Sequence, residues 1–296
     1  MDSDVPIGII GLGLMGTALS QRLIDAGLAV LGFDIDPARC ETLQANGGCA
    51  AHSAQEVFGR CRAIVVAVYD GAQARALFGE FSKPSLKTGP VVICTTTCAP
   101  DEVARLADHA AKAGWLFVEA PISGTSAEVH DGSATALVAG DPDAIEAANP
   151  LLAILCPRMI RVGHIGDASR TKLAINLVLQ NNRAALAEGI AFAERLGLDG
   201  HAFLEAARAS AAYSSVMDTK GTKMLARDFR PQSHISQTLK DAELILQQAR
   251  QHGLHLPMTT TQADLLRAAI ALEGPASDSS AVIEAIRRPL SSKVDR

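Results

Sequence analysis

Gly8-Ile9-Ile10-Gly11-Leu12-Gly13-Leu14-Met15-Gly16 is the stretch that decides the fold. It completes an apolar run, Ile7–Ile10, and opens a helical pattern from Met15 to Ala26. The three glycines do different work. Gly11 permits a tight turn after the strand, Gly13 permits close approach of the backbone to a pyrophosphate, and Gly16 permits the helix to pack on the strand. With Leu12, Leu14 and Met15 between them, they form a candidate dinucleotide cradle at a helix N-terminus, where phosphate charge is stabilised. A turn of this spacing can also bind nothing, so its surroundings matter. A second apolar run, Ala29–Phe33, is followed by Asp34. A carboxylate there accepts hydrogen bonds from ribose hydroxyls and repels a 2′-phosphate. Ile35-Asp36-Pro37 adds another acid, and no arginine comes before Arg39. NAD is the expected cofactor and NADP the alternative, while Asp34 as a simple loop cap is the competing reading.

Outward from this turn the first half alternates. Apolar, β-rich runs recur at Ala63–Val68, Pro90–Thr95, Leu116–Val118, Thr135–Ala139 and Met159–Val162. Helical patterns separate them at Pro37–Ala45, Ala72–Phe78, Asp101–Ala113 and Asp143–Leu155, with Pro37 and Pro100 suited to first helical turns. Short apolar runs alternating with helices predict a parallel sheet covered on both faces. After Gly166 the pattern changes. Ala168–Leu196 has helical periodicity without proline, and further helices are expected at Asp199–Ser210, Ser215–Leu225, Ile235–His252, Thr259–Glu273 and Ser279–Arg288. The expected architecture is an α/β dinucleotide-binding domain over residues 1–165 and an all-helical domain over 166–296, joined by the long helix.

Composition narrows the function classes. The 296 residues are 48% apolar and only 4% aromatic, enough for an aliphatic core. A net charge of −5 without a basic stripe argues against a nucleic-acid partner. An acidic start (Asp2, Asp4) and the lack of an apolar run near the bilayer-spanning length of about 20 point to the cytoplasm, with no membrane. The six cysteines, at 40, 49, 61, 94, 98 and 156, form no CxxC and are expected to be reduced core residues. No metal is expected: Cys94 and Cys98 lack histidines at ligand spacing, and His252 and His255 read as exposed helix-end residues.

Chemistry-bearing residues follow the strands. Val68-Tyr69-Asp70, Thr95-Thr96-Thr97-Cys98 and Pro121-Ile122-Ser123-Gly124 each stand at a strand's carboxyl end, where ligands bind in open α/β sheets. Ser123 Oγ with the backbone N–H groups of the Ser-Gly turn forms a concavity suited to a carboxylate, although an ordinary turn would read the same. Lys172 and Asn176 lie early in the long helix, four residues apart and so on one face. A lysine among Leu173, Ala174 and Ile175 is either a solvated stem or a buried amine. Buried beside a positive nicotinamide, its pKa would fall toward neutrality. It could then take a hydroxyl proton as hydride leaves carbon, with Asn176 holding the same oxygen.

These segments, with Leu239-Lys240-Asp241, resemble the β-hydroxyacid dehydrogenase family, the group of 3-hydroxyisobutyrate dehydrogenase, tartronate semialdehyde reductase and L-threonate dehydrogenase. The resemblance runs from Ile7 to about Arg288, with the motifs in order. It implies Lys172 as general acid/base, Ser123 and Gly124 on the substrate carboxylate, and Asn176 positioning the substrate. It also implies Thr97 and Lys240 near the nicotinamide end, and dimers or tetramers built through the helical domain. The chain departs from the family's habits at Thr125, Ala168, Ser233 and Ser210–Ser215. Imine-reducing relatives typically lack the lysine, so its presence argues for an alcohol. Three readings follow: NAD-dependent oxidation of a small 3-hydroxy acid or its reverse, NADP-dependent reduction of a small aldehyde acid, or a catalytically silent nucleotide sensor or scaffold.

Overall fold

The computed structural model describes residues 5–79 and 89–288, so Asp2 and Asp4 lie outside the described residues. The chain divides into two compact units between Lys172 and Leu173.

The first unit opens with β1 (Ile7–Ile10), α1 (Leu14–Asp25), β2 (Val30–Phe33), α2 (Pro37–Ala45), β3 (Cys49–Ala50), α3 (Ala54–Arg60), β4 (Ala63–Val66) and α4 (Gly71–Gly79). It continues with β5 (Val91–Cys94), α5 (Pro100–Lys112), β6 (Leu116–Glu119), β7 (Ile122–Ser123), α6 (Ser126–Asp131), β8 (Thr135–Gly140), α7 (Pro142–Leu155) and β9 (Arg158–Gly163). The sheet order is β3-β2-β1-β4-β5-β6-β8-β7, with β9 on β8. From β3 to β6 all pairs are parallel. The chain leaves β1 in opposite directions toward β2 and β4, which makes the β1/β4 boundary the switch point where such sheets bind ligands. Side chains alternate between two cores, as a pleat requires. Ile9, Val65 and Ile93 pack with α1 and α7 on one face, whereas Ile10, Val66 and Val92 pack with α3, α4 and α5 on the other.

The expectation of a wholly parallel sheet is corrected beyond β6. Strand β8 runs antiparallel to both β6 and β7, and β9 parallel to β8. Only Ala120 and Pro121 separate β6 from β7, and α6 has six residues, too little for the crossover a parallel return needs. Strands β3 and β7 and helices α3 and α6 are additions to the sequence reading; the strands have two residues each, too few to show a period. The cysteine reading also changes. Cys61, Cys94, Cys98 and Cys156 are buried, but Cys40 is half-buried and Cys49 exposed, because both sit on or beside the peripheral α2–β3 segment.

Helix α8 (Asp167–Arg195) has 29 residues, about 43 Å at the α-helical rise. The second unit takes up most of it and adds α9 (Gly200–Arg208), α10 (Thr222–Ala226), α11 (Ile235–Gln251), α12 (Pro257–Glu273) and α13 (Val282–Arg287). The expected helix over 215–225 is a π-helical turn, Met217–Gly221, running into α10. The core is aliphatic, around Leu186, Ile190, Met224, Ile235, Leu266 and Ile283. Within it Lys220 Nζ reaches both oxygens of Asp278, at 2.9 and 2.8 Å, tying the π-turn to the 3₁₀ turn Ser279–Ala281. Among the described residues no helix is long and apolar enough to cross a membrane, and no group of His, Cys, Asp and Glu is placed to hold a metal. His252 and His255 are exposed.

Candidate active site

The glycine turn follows from local sterics. Gly11 has φ +92°, and a Cβ there would stand 2.5 Å from the Ala67 carbonyl oxygen. A Cβ on Gly16 would run into the carbonyl of Gly11. Gly13 is different, since a Cβ would meet only Arg39 Nη1, at 3.8 Å. Its lack of a side chain answers to nothing in the fold and leaves room for a ligand at the start of α1. Asp34 lies at the end of β2, buried, and does more than the sequence revealed. Its Oδ2 accepts the Leu12 N–H at 2.7 Å and its Oδ1 accepts the Asp36 N–H at 2.9 Å. The carboxylate therefore fastens the glycine turn to β2, and the Leu12 amide is committed to it rather than to a phosphate. Arg39 Nη1 lies 3.3 Å from Asp34 Oδ2. That puts a half-exposed guanidinium beside Gly13, a feature only the fold discloses. Leu14 and Met15 are half-buried on the first turn of α1.

At the next strand ends, Thr95 and Thr96 direct their hydroxyls to the Val66 carbonyl, at 3.0 and 3.4 Å. Thr96 Oγ1 also receives the Val68 N–H at 3.1 Å. Those two threonines knit β4 to β5; Thr97 is half-buried, Val68 likewise, and Tyr69 is exposed. Ser123 is half-buried at the end of β7, and Gly124 is exposed with φ +150°, a Cβ there standing 2.9 Å from that of Ala134. Thr125, one of the departures, is the N-cap of α6: its side chain accepts the Glu128 N–H, and its own N–H goes to Glu128 Oε2 at 2.7 Å. The Ser-Gly turn therefore offers the Ser123 hydroxyl and the Gly124 amide to a ligand, but not the Thr125 amide.

Glu119 is the positioning residue that sequence reading passed over. It ends β6, is 1% exposed, and accepts the N–H groups of Gly166 at 2.7 Å and Ser169 at 2.6 Å. Burial pushes its carboxyl above the ordinary range, and these hydrogen bonds only partly offset that. The first turn of α8 is thereby pinned to the sheet, and Lys172 follows one turn later. Lys172 is 6% exposed, so the solvated-stem reading is overturned. Ala168 packs its methyl against Leu137 and Ala139 of β8.

In the second unit Asn176 is buried, and its Nδ2 donates to Asp241 Oδ2 at 2.9 Å. Lys240 Nζ lies 3.0 Å from the other oxygen, Oδ1. Asn176, Asp241 and Lys240 thus form one connected group. Ser233 bonds Ser279 through their hydroxyls at 2.9 Å, and the Tyr213 hydroxyl donates to Asp218 at 2.7 Å.

Residues 6–164 match the model of the NAD-binding domain of 6-phosphogluconate dehydrogenase, and residues 166–286 match that described as NAD-binding of NADP-dependent 3-hydroxyisobutyrate dehydrogenase. The chain belongs to the β-hydroxyacid dehydrogenase family of oxidoreductases. It is 31% identical to 2-hydroxy-3-oxopropionate reductase of Escherichia coli, over 95% of this chain and 96% of that one. It is 30% identical to L-threonate dehydrogenase of Cupriavidus necator, over 94% and 95%. The crystal structure of 3-hydroxyisobutyrate dehydrogenase from Salmonella typhimurium superposes with a TM-score of 0.85 at 27% identity, covering 95% of this chain and 99% of that one. The cofactor is accordingly NAD or NADP.

Proposed function

We propose that the protein transfers a hydride between NAD and a small 3-hydroxy acid, oxidising it to a semialdehyde or keto acid, or running the reverse. The observation that carries this is the buried amine of Lys172, one turn before the buried amide of Asn176, in a chain of this family. Bound at the glycine turn, NAD would supply the hydride acceptor. Asp34 would meet the ribose hydroxyls, and the α1 N-terminus the pyrophosphate. Val68, Tyr69, Thr97 and Lys240 would border the nicotinamide end. Ser123 Oγ and the Gly124 N–H would hold the substrate carboxylate. Asn176 donates one Nδ2 hydrogen to Asp241, which fixes the amide's orientation and leaves the second Nδ2 hydrogen to donate to the carbinol oxygen. Neutral Lys172 would take the carbinol proton as oxidation proceeds, and its ammonium form would return it in reduction.

Residues 1–165 would form the nucleotide domain and 166–296 the substrate and association domain. Six unpaired thiols suit the reducing cytoplasm. A second copy of the chain would cover the outer face of α8, giving a homodimer or a homotetramer. One observation favours the NADP-dependent reductase as second reading: Arg39 stands beside Gly13 and could turn toward a 2′-phosphate. A rate screen over 3-hydroxyisobutyrate, glycerate, threonate and serine with both cofactors tests the proposal. Reduction of NAD by one of them is expected. No turnover with either cofactor, beside retained nucleotide binding, would favour the silent sensor.

A further inference from the structure

Helix α8 has an unusual buried face. Lys172, Asn176, Gln180 and Arg183 follow at steps of four, four and three and are all buried; beyond them the stripe turns apolar, with Ala187 and Ile190. Its last polar member keeps two of its three guanidinium nitrogens idle. Arg183 is 6% exposed, and its Nε and Nη1 have no hydrogen-bond partner. Burial lowers its pKa to about 10, with Asp278 and Asp241 opposing, so it is charged at neutral pH.

Asp278, the first of the two carboxylates that oppose the shift, is already engaged. Asp278 already accepts Lys220 Nζ on both oxygens and the N–H groups of Gln232, Ser233 and Ser280. Asp241 holds Asn176 through Oδ2, and its Oδ1 pairs in charge with Lys240 Nζ at 3.0 Å without accepting a hydrogen bond, from Arg183 or from any other group. Three cations, Arg183, Lys220 and Lys240, thus face two carboxylates. A buried guanidinium with unmade hydrogen bonds is strongly unfavourable, and an apolar side chain of similar volume would be as stable or more so. An anionic acceptor removes the penalty, and a carboxylate fits the planar guanidinium best.

We propose that Arg183 receives a second carboxylate of the substrate, making it a specificity-determining residue for hydroxy dicarboxylic acids. This rests on the reading of Asn176 as a substrate contact. Arg183 is seven residues beyond Asn176, about 10 Å along the axis. Helical side chains lean toward the N-terminus, so the long arginine returns toward Asn176 and shortens that gap. Asp241, which holds Asn176, is also one of the charges Arg183 faces. A carboxylate two or three carbons beyond the carbinol would lie between the amide and the guanidinium.

The test uses a matched pair, 3-hydroxyisobutyrate and 2-(hydroxymethyl)glutarate, which differ in whether the methyl is extended to a second carboxylate. The kcat/KM of the wild type is expected to favour the dicarboxylate. Arg183→Met should cut that ratio roughly 10–100-fold, the size of a charge-assisted hydrogen bond, and Arg183→Lys should keep part of it. Equal losses on both acids, or no loss, would overturn the proposal. A binding arm needs no turnover: with NAD present, 2-methylglutarate should raise the Tm of the wild type more than isobutyrate does, and the difference should vanish in Arg183→Met. Equal shifts in the wild type would mean that buried water or Gln180 satisfies the guanidinium. If Arg183→Met fails to fold, Arg183→Gln serves in both arms. Absence of turnover on every hydroxy acid would defeat the dehydrogenase reading alone, with the binding arm still deciding this one.

Discussion

Replacing the Lys172 amine removes the proposed proton carrier without touching the glycine turn. Lys172→Ala is expected to lower kcat by about 10²–10⁴, the span of general acid–base catalysis, with NAD affinity nearly kept. Lys172→Arg should be equally poor, because a guanidinium does not release its proton. A kcat within tenfold of the wild type in stopped-flow turnover would dismiss the assignment. Glu119 gives a pH prediction. Its folded pKa lies above the ordinary 4.5, with burial the main cause. The folded chain therefore keeps this proton at pH values where the unfolded chain has lost it. The stabilisation is complete below the unfolded pKa and is lost as pH rises through the folded one. Glu119→Gln cannot titrate, and it turns an amide toward two backbone N–H donors. The urea midpoint of the wild type should gain on that of Glu119→Gln as pH falls from about 8 to about 5. Parallel profiles would show that Glu119 holds α8 in one protonation state throughout.

At the scale of elements, the sequence was legible wherever one stretch decided its own conformation. The glycine turn, the Asp34 strand end and the proline-led starts of α2 and α5 all appear where local sterics put them. What stayed hidden was pairing between distant residues. Nothing about Glu119 in sequence says that it will cap a helix some 47 residues later, and nothing about Lys220 says that it will meet Asp278. Lys172 was ambiguous for the same reason: a cation in an apolar stretch reads alike whether it faces water or core. The Lys220–Asp278 pair carries a prediction. Burial lowers the Lys220 pKa, and Asp278 opposes that shift. Removing the carboxylate of this buried pair leaves Lys220 uncompensated, so Asp278→Ala should cost about 3–5 kcal/mol in a urea melt. A loss below about 1 kcal/mol, typical of exposed pairs, would mean that water reaches Lys220.

At the scale of the whole molecule, accessibility predicts thiol chemistry. Burial raises Cys61 to about 12 and Cys156 to about 11, and Cys94 and Cys98 are also enclosed. A thiol reagent at pH 8 should therefore modify Cys49, then Cys40, and reach the other four only on denaturation. The outer face of α8 predicts association. Ile175, Val178, Asn182, Ala185, Gly189, Phe192 and Leu196 recur at alternating steps of three and four, the spacing of a helix-pairing seam. Four of them are large apolar side chains left open, with Phe192 66% and Leu196 61% exposed. The middle of the row, Asn182, Ala185 and Gly189, lines a cavity of about 480 Å³ with Phe203 and Met217. Large apolar side chains left open along one helix face call for a cover, and a second copy across a two-fold axis would supply it. Light scattering should give a mass at least twice 30.9 kDa. An aromatic anchor in such a seam is worth about 2 kcal/mol or more, so Phe192→Glu should weaken association at least roughly 30-fold and yield monomer at micromolar concentration. A wild type that runs as a monomer would leave this face without its partner and remove the association domain from the proposal.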